Sequence, residues 1–87
     1  MANVALISIF CPDSTGLVAA ITGKLFDLGA NLADTSYVVL GQGGEFSAIC
    51  ELPDTVELAT VKSGLEELGE LAEAEVTVKP FPFDPAH

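Results

Sequence analysis

The order of the periodic segments limits the folds that this chain can adopt. Alternating or short apolar runs predict four strands, at residues 4–10, 31–40, 45–52 and 73–79. Helical spacing of apolar residues predicts one helix over residues 15–28 and a second whose apolar positions run from Leu58 to Leu68. The resulting order, βαββαβ, is that of the ferredoxin-like arrangement. This is an α+β fold in which a four-stranded antiparallel sheet carries both helices on one face.

The ends of the first segments can be predicted from single residues. The first strand is nearly continuous in apolar residues, which is typical of a strand buried on both faces in the middle of a sheet. Pro12 has no N–H group for ladder pairing and is expected to end this strand. Asp13 or Ser14 is expected to cap the first helix, and Asp54 or Thr55 the second, because their side-chain oxygens accept from free backbone N–H groups.

The second strand is expected at an edge of the sheet. Alternation divides it into two faces, one with Leu32, Val38 and Leu40, the other with Ala33, Thr35, Tyr37 and Val39. Both faces are therefore partly apolar, and a glycine-rich hairpin loop follows at residues 41–44. An apolar edge strand beside an open sheet face is unsuited to a monomer, so we expect a homodimer.

Chain length and hydrophobicity indicate one domain. A chain of 87 residues, 49% of them hydrophobic, fits a single core. We expect this domain to span residues 1–80, followed by a Pro/Phe-rich tail at residues 81–87 that proline excludes from regular structure. The longest apolar run is too short to cross a bilayer, and the N-terminus lacks a signal-peptide pattern. A cytoplasmic protein with no membrane partner is therefore expected.

The charge of the chain argues against polyanionic partners. Thirteen acidic residues, three lysines and no arginine give a formal net charge of −10. Nucleic acids and anionic membranes are bound through Lys and Arg side chains. Direct binding to either is therefore not expected, and solubility is a sufficient explanation of the acidity.

Residue types for catalysis or metal binding are scarce. The only cysteines, Cys11 and Cys50, lie far apart in the sequence, and the only histidine, His87, is the last residue. These residues form neither a zinc-binding set nor a nucleophilic triad, so we expect no metal, no cofactor and no enzymatic activity. Both thiols are expected to be buried and free, with a disulfide as the alternative.

The junction of the first strand and the first helix is the strongest candidate for a binding site. Residues 13–16 place free backbone N–H groups at a helix N-terminus, where the helix dipole favours an anion such as a carboxylate. Gly16 would let a ligand approach the backbone closely. An ordinary capped turn has the same pattern, so these residues alone leave both interpretations open.

Two motifs together resemble those of the ACT domain family. In the first, residues 11–17 (CPDSTGL), an Asp-x-x-Gly-Leu element opens the first helix. In the second, residues 29–32 (GANL), a Gly-x-Asn-Leu element leads into the second strand. Residues 40–41 and 45–47 further resemble the ACT domains of glycine cleavage system transcriptional repressors. The likeness covers about residues 4–78, nearly the whole chain.

This resemblance implies a regulatory module that binds a small amino acid at a homodimer interface and signals to a target protein. One side of the ligand would be lined by Asp13, Ser14, Thr15, Gly16 and Leu17. Asn31 would bond polar groups of the ligand or bridge to the partner chain, with Leu32 beside it. Asp34 would receive the ligand ammonium group, or would be an ordinary solvated carboxylate.

Departures from the family pattern support other hypotheses. ACT relatives often carry Arg-Pro where this chain has Ser14 and Thr15, and the missing arginine is a possible carboxylate partner. Repressor-group proteins also usually carry two such domains, whereas this sequence carries one. The main alternative is a ligand-free dimerisation or scaffold module of the same fold. A third hypothesis makes Cys11, beside the loop, a redox-sensing thiol.

Overall fold

The sheet has four antiparallel strands in the order β2-β3-β1-β4. The structure, a computed structural model, describes residues 3–12, 16–71 and 73–81. Its elements are β1 (Asn3–Pro12), α1 (Leu17–Asp27), β2 (Asn31–Leu40), β3 (Gly43–Leu52), α2 (Leu58–Glu66), a 3-10 turn (Gly69–Leu71) and β4 (Glu75–Pro80). This confirms the predicted ferredoxin-like βαββαβ fold. Within these ranges, no helix is both long and apolar enough to cross a membrane.

The first strand lies in the middle of the sheet, between β3 and β4. Its alternate residues Ala5, Ile7 and Ile9 face the helices and are completely buried. On the other face Leu6 is half-buried and Phe10 is exposed. The prediction that β1 is buried on both faces is therefore wrong. Both helices cover the same side of the sheet. The opposite side, here named the open face, has no covering layer among the described residues.

The core lies between the helices and the covered side of the sheet. The first helix contributes Leu17, Ile21 and Leu25, all buried, as the helical spacing predicted. The two helices approach closely at Gly64 of α2, where an added Cβ would lie 3.0 Å from Cε of Lys24 on α1. A larger residue at this position would therefore require the side chains of Lys24 and Leu28 to shift.

The first helix begins later than predicted and has a different N-cap. Gly16 is the N-cap, in the left-handed conformation with φ 80°, and among the described residues no side-chain hydrogen bond caps this helix. The prediction that Asp13 or Ser14 caps it is therefore wrong, because the chain turns into the helix through a conformation that glycine adopts at low cost. Asp13 and Ser14 themselves lie outside the described residues.

The second helix also begins beyond its predicted caps. The N–H of Val56 donates to the carbonyl of Pro53 at 3.0 Å, so a separate turn precedes the helix. This turn includes Asp54 and Thr55 and moves the N-cap to Glu57, whose side chain makes no capping hydrogen bond. The prediction of a cap at Asp54 or Thr55 is wrong for this reason.

The second strand is an edge strand, as predicted, but a bulge changes its faces. Leu32 is opposite the core residue Cys50, whereas Asp34 is paired on the open face, so Ala33 has no opposite partner on β3. Directly opposed residues of antiparallel strands share a face. Leu32 therefore faces the helices, and the prediction that it shares a face with Val38 is wrong.

Candidate functional site

The predicted binding loop connects Pro12, the last residue of β1, to the start of α1. Asp13, Ser14 and Thr15 lie outside the described residues, so their contacts with a ligand stay predictions. Gly16 is exposed, whereas the side chain of Leu17 is only 1% exposed and packs in the core. A ligand could therefore contact only the backbone of Leu17.

The helix start that follows the loop has the features of an anion-binding position. The N–H of Ala20 donates to the carbonyl of Gly16 at 2.9 Å, which is the first hydrogen bond of the helix. The N–H groups of residues 17–19 precede that bond and have no acceptor within the helix. No acidic side chain lies in this first turn. A carboxylate from outside would meet the positive end of the helix dipole without a competing carboxylate from the turn.

Asn31 lies at the opposite end of the sheet from this loop. It is opposite Glu51 on β3, whereas Pro12 is opposite Gly43. Positions 43 and 51 are separated by eight residues of strand, or about 27 Å at roughly 3.4 Å per residue. The Nδ2 group of Asn31 donates to Oε1 of Glu51 at 3.3 Å. One chain therefore does not bring Asn31 to the loop.

Leu32 and Asp34 point to opposite sides of the sheet because of the bulge between them. Leu32 is half-buried and packs against the core, whereas Asp34 is exposed on the open face. Asp34 borders a depression of about 190 Å³ whose other lining residues are Leu6, Thr35, Ser36, Ser47, Ala48 and Ile49. Leu32 and Asp34 therefore cannot both line one ligand within a single chain.

Tyr37 lies near the loop and was not among the predicted site residues. A Cβ added to Gly44 would clash with the Tyr37 hydroxyl and would lie 2.5 Å from its Cζ, so the ring lies directly over this glycine. Gly44 is opposite Cys11, which places the hydroxyl near the loop end of β1. A glycine inside a strand is a known signal of close approach. The sequence pattern places residues 41–44 in the hairpin loop, whereas β3 begins at Gly43. For this reason Gly44 did not stand out as a glycine inside a strand.

Both cysteines are buried and neither forms a disulfide, as predicted. Cys11 is opposite Gly44 and Cys50 is opposite Ala5. Positions 44 and 50 lie about 20 Å apart along β3 at roughly 3.4 Å per residue. A disulfide needs a Cα separation below about 7 Å, so the alternative of a disulfide within one chain is wrong.

The environment of each thiol bears on its reactivity. Burial raises the pKa of the Cys50 thiol from 9.0 to about 11, so this thiol is protonated at neutral pH. The side chain of Cys11 is 2% exposed and faces the helices. Because an oxidant must reach a sensing thiol, this burial weighs against the redox hypothesis for Cys11.

Comparison with known proteins agrees with the fold. A family model described as ACT domain matches residues 3–79. A UPF0237 protein from Streptococcus mutans is 26% identical to this chain over 84 residues, which are 95% of this chain and 96% of that protein. The match thus extends over nearly all of both sequences.

Two solved structures have the same fold. An ACT domain protein from Streptococcus pneumoniae has a TM-score of 0.78 at 24% identity, over 92% of this chain and 91% of that one. An unknown protein from Galdieria sulphuraria has a TM-score of 0.83 at 17% identity over 97% of this chain. The present chain spans about half of that protein, 48% of its length. At these identities the likeness extends to the fold alone.

Proposed function

The chain belongs to the ACT domain family, and we propose that it is a regulatory module that binds a small amino acid as a homodimer. ACT domains are generally regulatory and ligand-binding. Signalling to a target protein, as in the glycine cleavage system repressors that the sequence resembles, is part of this proposal. The alternative is a dimerisation or scaffold module of the same fold without a ligand. One observation supports a dimer in particular, namely the position of the exposed apolar side chains.

The exposed apolar side chains of the described residues concentrate on one flank of the domain. Six large hydrophobic residues of the described ranges are exposed, and five of them belong to α1 or β2: Val18, Phe26, Val38, Val39 and Leu40. These five are named the β2 flank. Lys24 faces α2, and Phe26 is about 200° from it around the helix. The exposed apolar residues of α1 therefore lie on the side away from α2, next to the edge strand.

Pairing of two copies along β2 would also complete the predicted site. The described strands pair with β2 on one side only, so its other edge presents N–H and C=O groups that can extend the sheet. In an antiparallel β2 pair, the start of one strand lies beside the end of the other. The partner's Asn31 would then approach the end of the sheet that holds Leu40 and Pro12. The loop would supply N–H groups to the ligand carboxylate, and the partner's Asn31 would supply an amide.

The dimer is tested by a charge on the β2 flank. We expect wild-type protein to have a dimeric mass by light scattering at micromolar concentration, and Val39→Lys to weaken the dimer at least about tenfold, because a buried unpaired ammonium group is costly. Val39 is 55% exposed in the single chain, so the change should not unfold it. Thr77→Lys makes the same kind of change on the opposite edge strand, β4, and should leave the dimer intact. A monomeric wild type, or an equal effect of both variants, would contradict the β2 flank as the interface.

Ligand binding is tested by isothermal titration of the whole chain with a panel of amino acids. We expect saturable heat with a small amino acid and at least about tenfold weaker binding to Asn31→Ala, since a hydrogen bond to a charged group is worth about 1.5–3 kcal/mol. Thr77→Ala, an exposed change far from the loop, serves as the control. If no amino acid at millimolar concentration gives heat while the protein is dimeric, the scaffold alternative is supported instead.

A further inference from the structure

A cavity opens at the loop end of β1, on the open face of the sheet. Its volume is about 500 Å³, which lies within the range of small-molecule sites. It is lined by Phe10, Cys11, Pro12, Gln42, Gly43, Glu73 and Glu75. None of these residues belongs to the set predicted for the amino-acid site, so the cavity requires an explanation of its own.

An aromatic ring forms part of the wall of this cavity. Phe10 is 49% exposed and is the one large hydrophobic residue exposed in the described ranges that lies outside the β2 flank. Its directly opposed neighbours are Glu45 on β3 and Glu75 on β4. Their Cβ atoms lie about 5 Å from that of Phe10 by the usual cross-strand geometry. The ring therefore stands on the open face between two carboxylate side chains instead of under an apolar cover.

The described residues place no positive charge beside these carboxylates. Among them no basic side chain lines the cavity, and the lysines are Lys24 and Lys62 on the helices and Lys79 on β4. Lys79 is four residues from Glu75 along the strand, or about 13 Å at roughly 3.3 Å per residue. The helices lie across the sheet from the cavity. The described residues therefore place no cation at contact distance from Glu73 and Glu75, and a cation from outside could approach both carboxylates.

We propose that this cavity binds an organic cation that carries a guanidinium or alkylammonium group. The cation lies over the face of the Phe10 ring, where the negative quadrupole attracts it. Its N–H groups donate to the carboxylates of Glu73 and Glu75, and its alkyl part contacts Phe10 and Pro12. The cavity and the aromatic wall distinguish this site from a mere acidic patch. A hard metal ion fits less well, because such ions take six or more oxygen ligands, and the described residues contain no metal-binding cluster.

The proposal is tested by NMR titration of the full chain with agmatine, which carries both a guanidinium and an alkylammonium group. The titration is done at about 0.15 M salt, where the Debye length of ~8 Å suppresses diffuse attraction to the acidic chain. We expect saturable shifts centred on Phe10 and Glu75. The double variant Glu73→Gln/Glu75→Gln should bind at least about tenfold more weakly, because each charge-assisted hydrogen bond becomes a neutral one.

Two further variants make the test specific. Glu66→Gln/Glu67→Gln removes the same charge from exposed positions at the C-terminal end of α2 and should leave agmatine binding unchanged. Phe10→Leu keeps an apolar side chain but lacks the aromatic face, and should weaken binding a few-fold. Absence of saturable shifts, equal losses in the two double variants, or full affinity in Phe10→Leu would each overturn the proposal. Because the amino-acid site shares no residue with the cavity, the titration with amino acids can succeed or fail independently of this one.

Discussion

Replacing Phe46 by alanine should lower the free energy of unfolding by about 3–5 kcal/mol. Phe46 is 1% exposed and is the largest of the fully buried side chains in the described residues. It lies on β3, opposite Ile9 on one side and Tyr37 on the other. Truncation therefore leaves a void in the middle of the covered side of the sheet. Since small domains have a total stability of about 5–15 kcal/mol, this single change would remove a large share of it.

Urea unfolding followed by circular dichroism measures this loss. The comparison requires one fixed protein concentration, because dimerisation stabilises the folded chain. Ile49→Ala is a matched control, since Ile49 is on the same strand but half-buried on the open face. We expect its effect to be less than half of that of Phe46→Ala. Equal effects would mean that the open face is as well covered as the core.

Gly44→Ala should destabilise the protein by about 1–3 kcal/mol, as expected for overpacking. The direction of this change in stability identifies its cause, because replacing glycine by alanine inside a strand normally stabilises a protein. Gly44 does not have a positive φ, so its backbone accepts alanine. The cost arises from the Tyr37 ring, which lies where the new Cβ would stand. The ring must move away from the loop end of β1 to admit even one methyl group.

The coupling between the two residues separates this cause from a backbone effect. In a Tyr37→Ala background, Gly44→Ala should have no cost or should stabilise the chain slightly. Gly43→Ala is the neighbouring control, since a Cβ there would meet no atom closer than 3.4 Å. Thermal unfolding of the four variants completes the cycle. Additive costs of Gly44→Ala and Tyr37→Ala would rule out the ring as the source of the strain.

The fold was predictable because each buried surface repeats at a regular spacing. Leu17, Ile21 and Leu25 recur at the helical period on α1, and alternate residues of β3 from Phe46 to Leu52 are buried. An irregularity that interrupts this regular spacing was not predictable. The bulge at Ala33 depends on how β2 and β3 share hydrogen bonds, and this one residue carries no compositional mark. It reversed the predicted face of Leu32.

The cap of α1 shows a different limit. Asp13, Ser14 and Gly16 all satisfy the local preferences of a helix start. The choice among them depends on how the loop turns from the sheet towards the helix layer, which is a property of the tertiary structure. In the structure that turn is made at Gly16, with a left-handed backbone conformation.

The sequence predicted two parts of the candidate site but not the distance between them in space. The motifs around residues 13–17 and 29–34 are neighbours in sequence. However, α1 returns the chain to the other end of the sheet, so β2 starts near the start of β1. This separation follows from the order and register of the strands, which only the structure provides. The two parts can therefore form one site only with a second copy of the chain.

The position of β1 also has a consequence for how the chain folds as it is made. This strand is made before the other strands of the sheet, yet one of its neighbours, β4, ends at Pro80 and is made after them. Until residues 75–80 have emerged, one side of β1 is an unpaired edge that other nascent chains can bind. Completion of the sheet therefore waits until residues 75–80 are available, and such pairing between distant segments is slow. A chain cut short before residue 75 would expose the middle of the sheet.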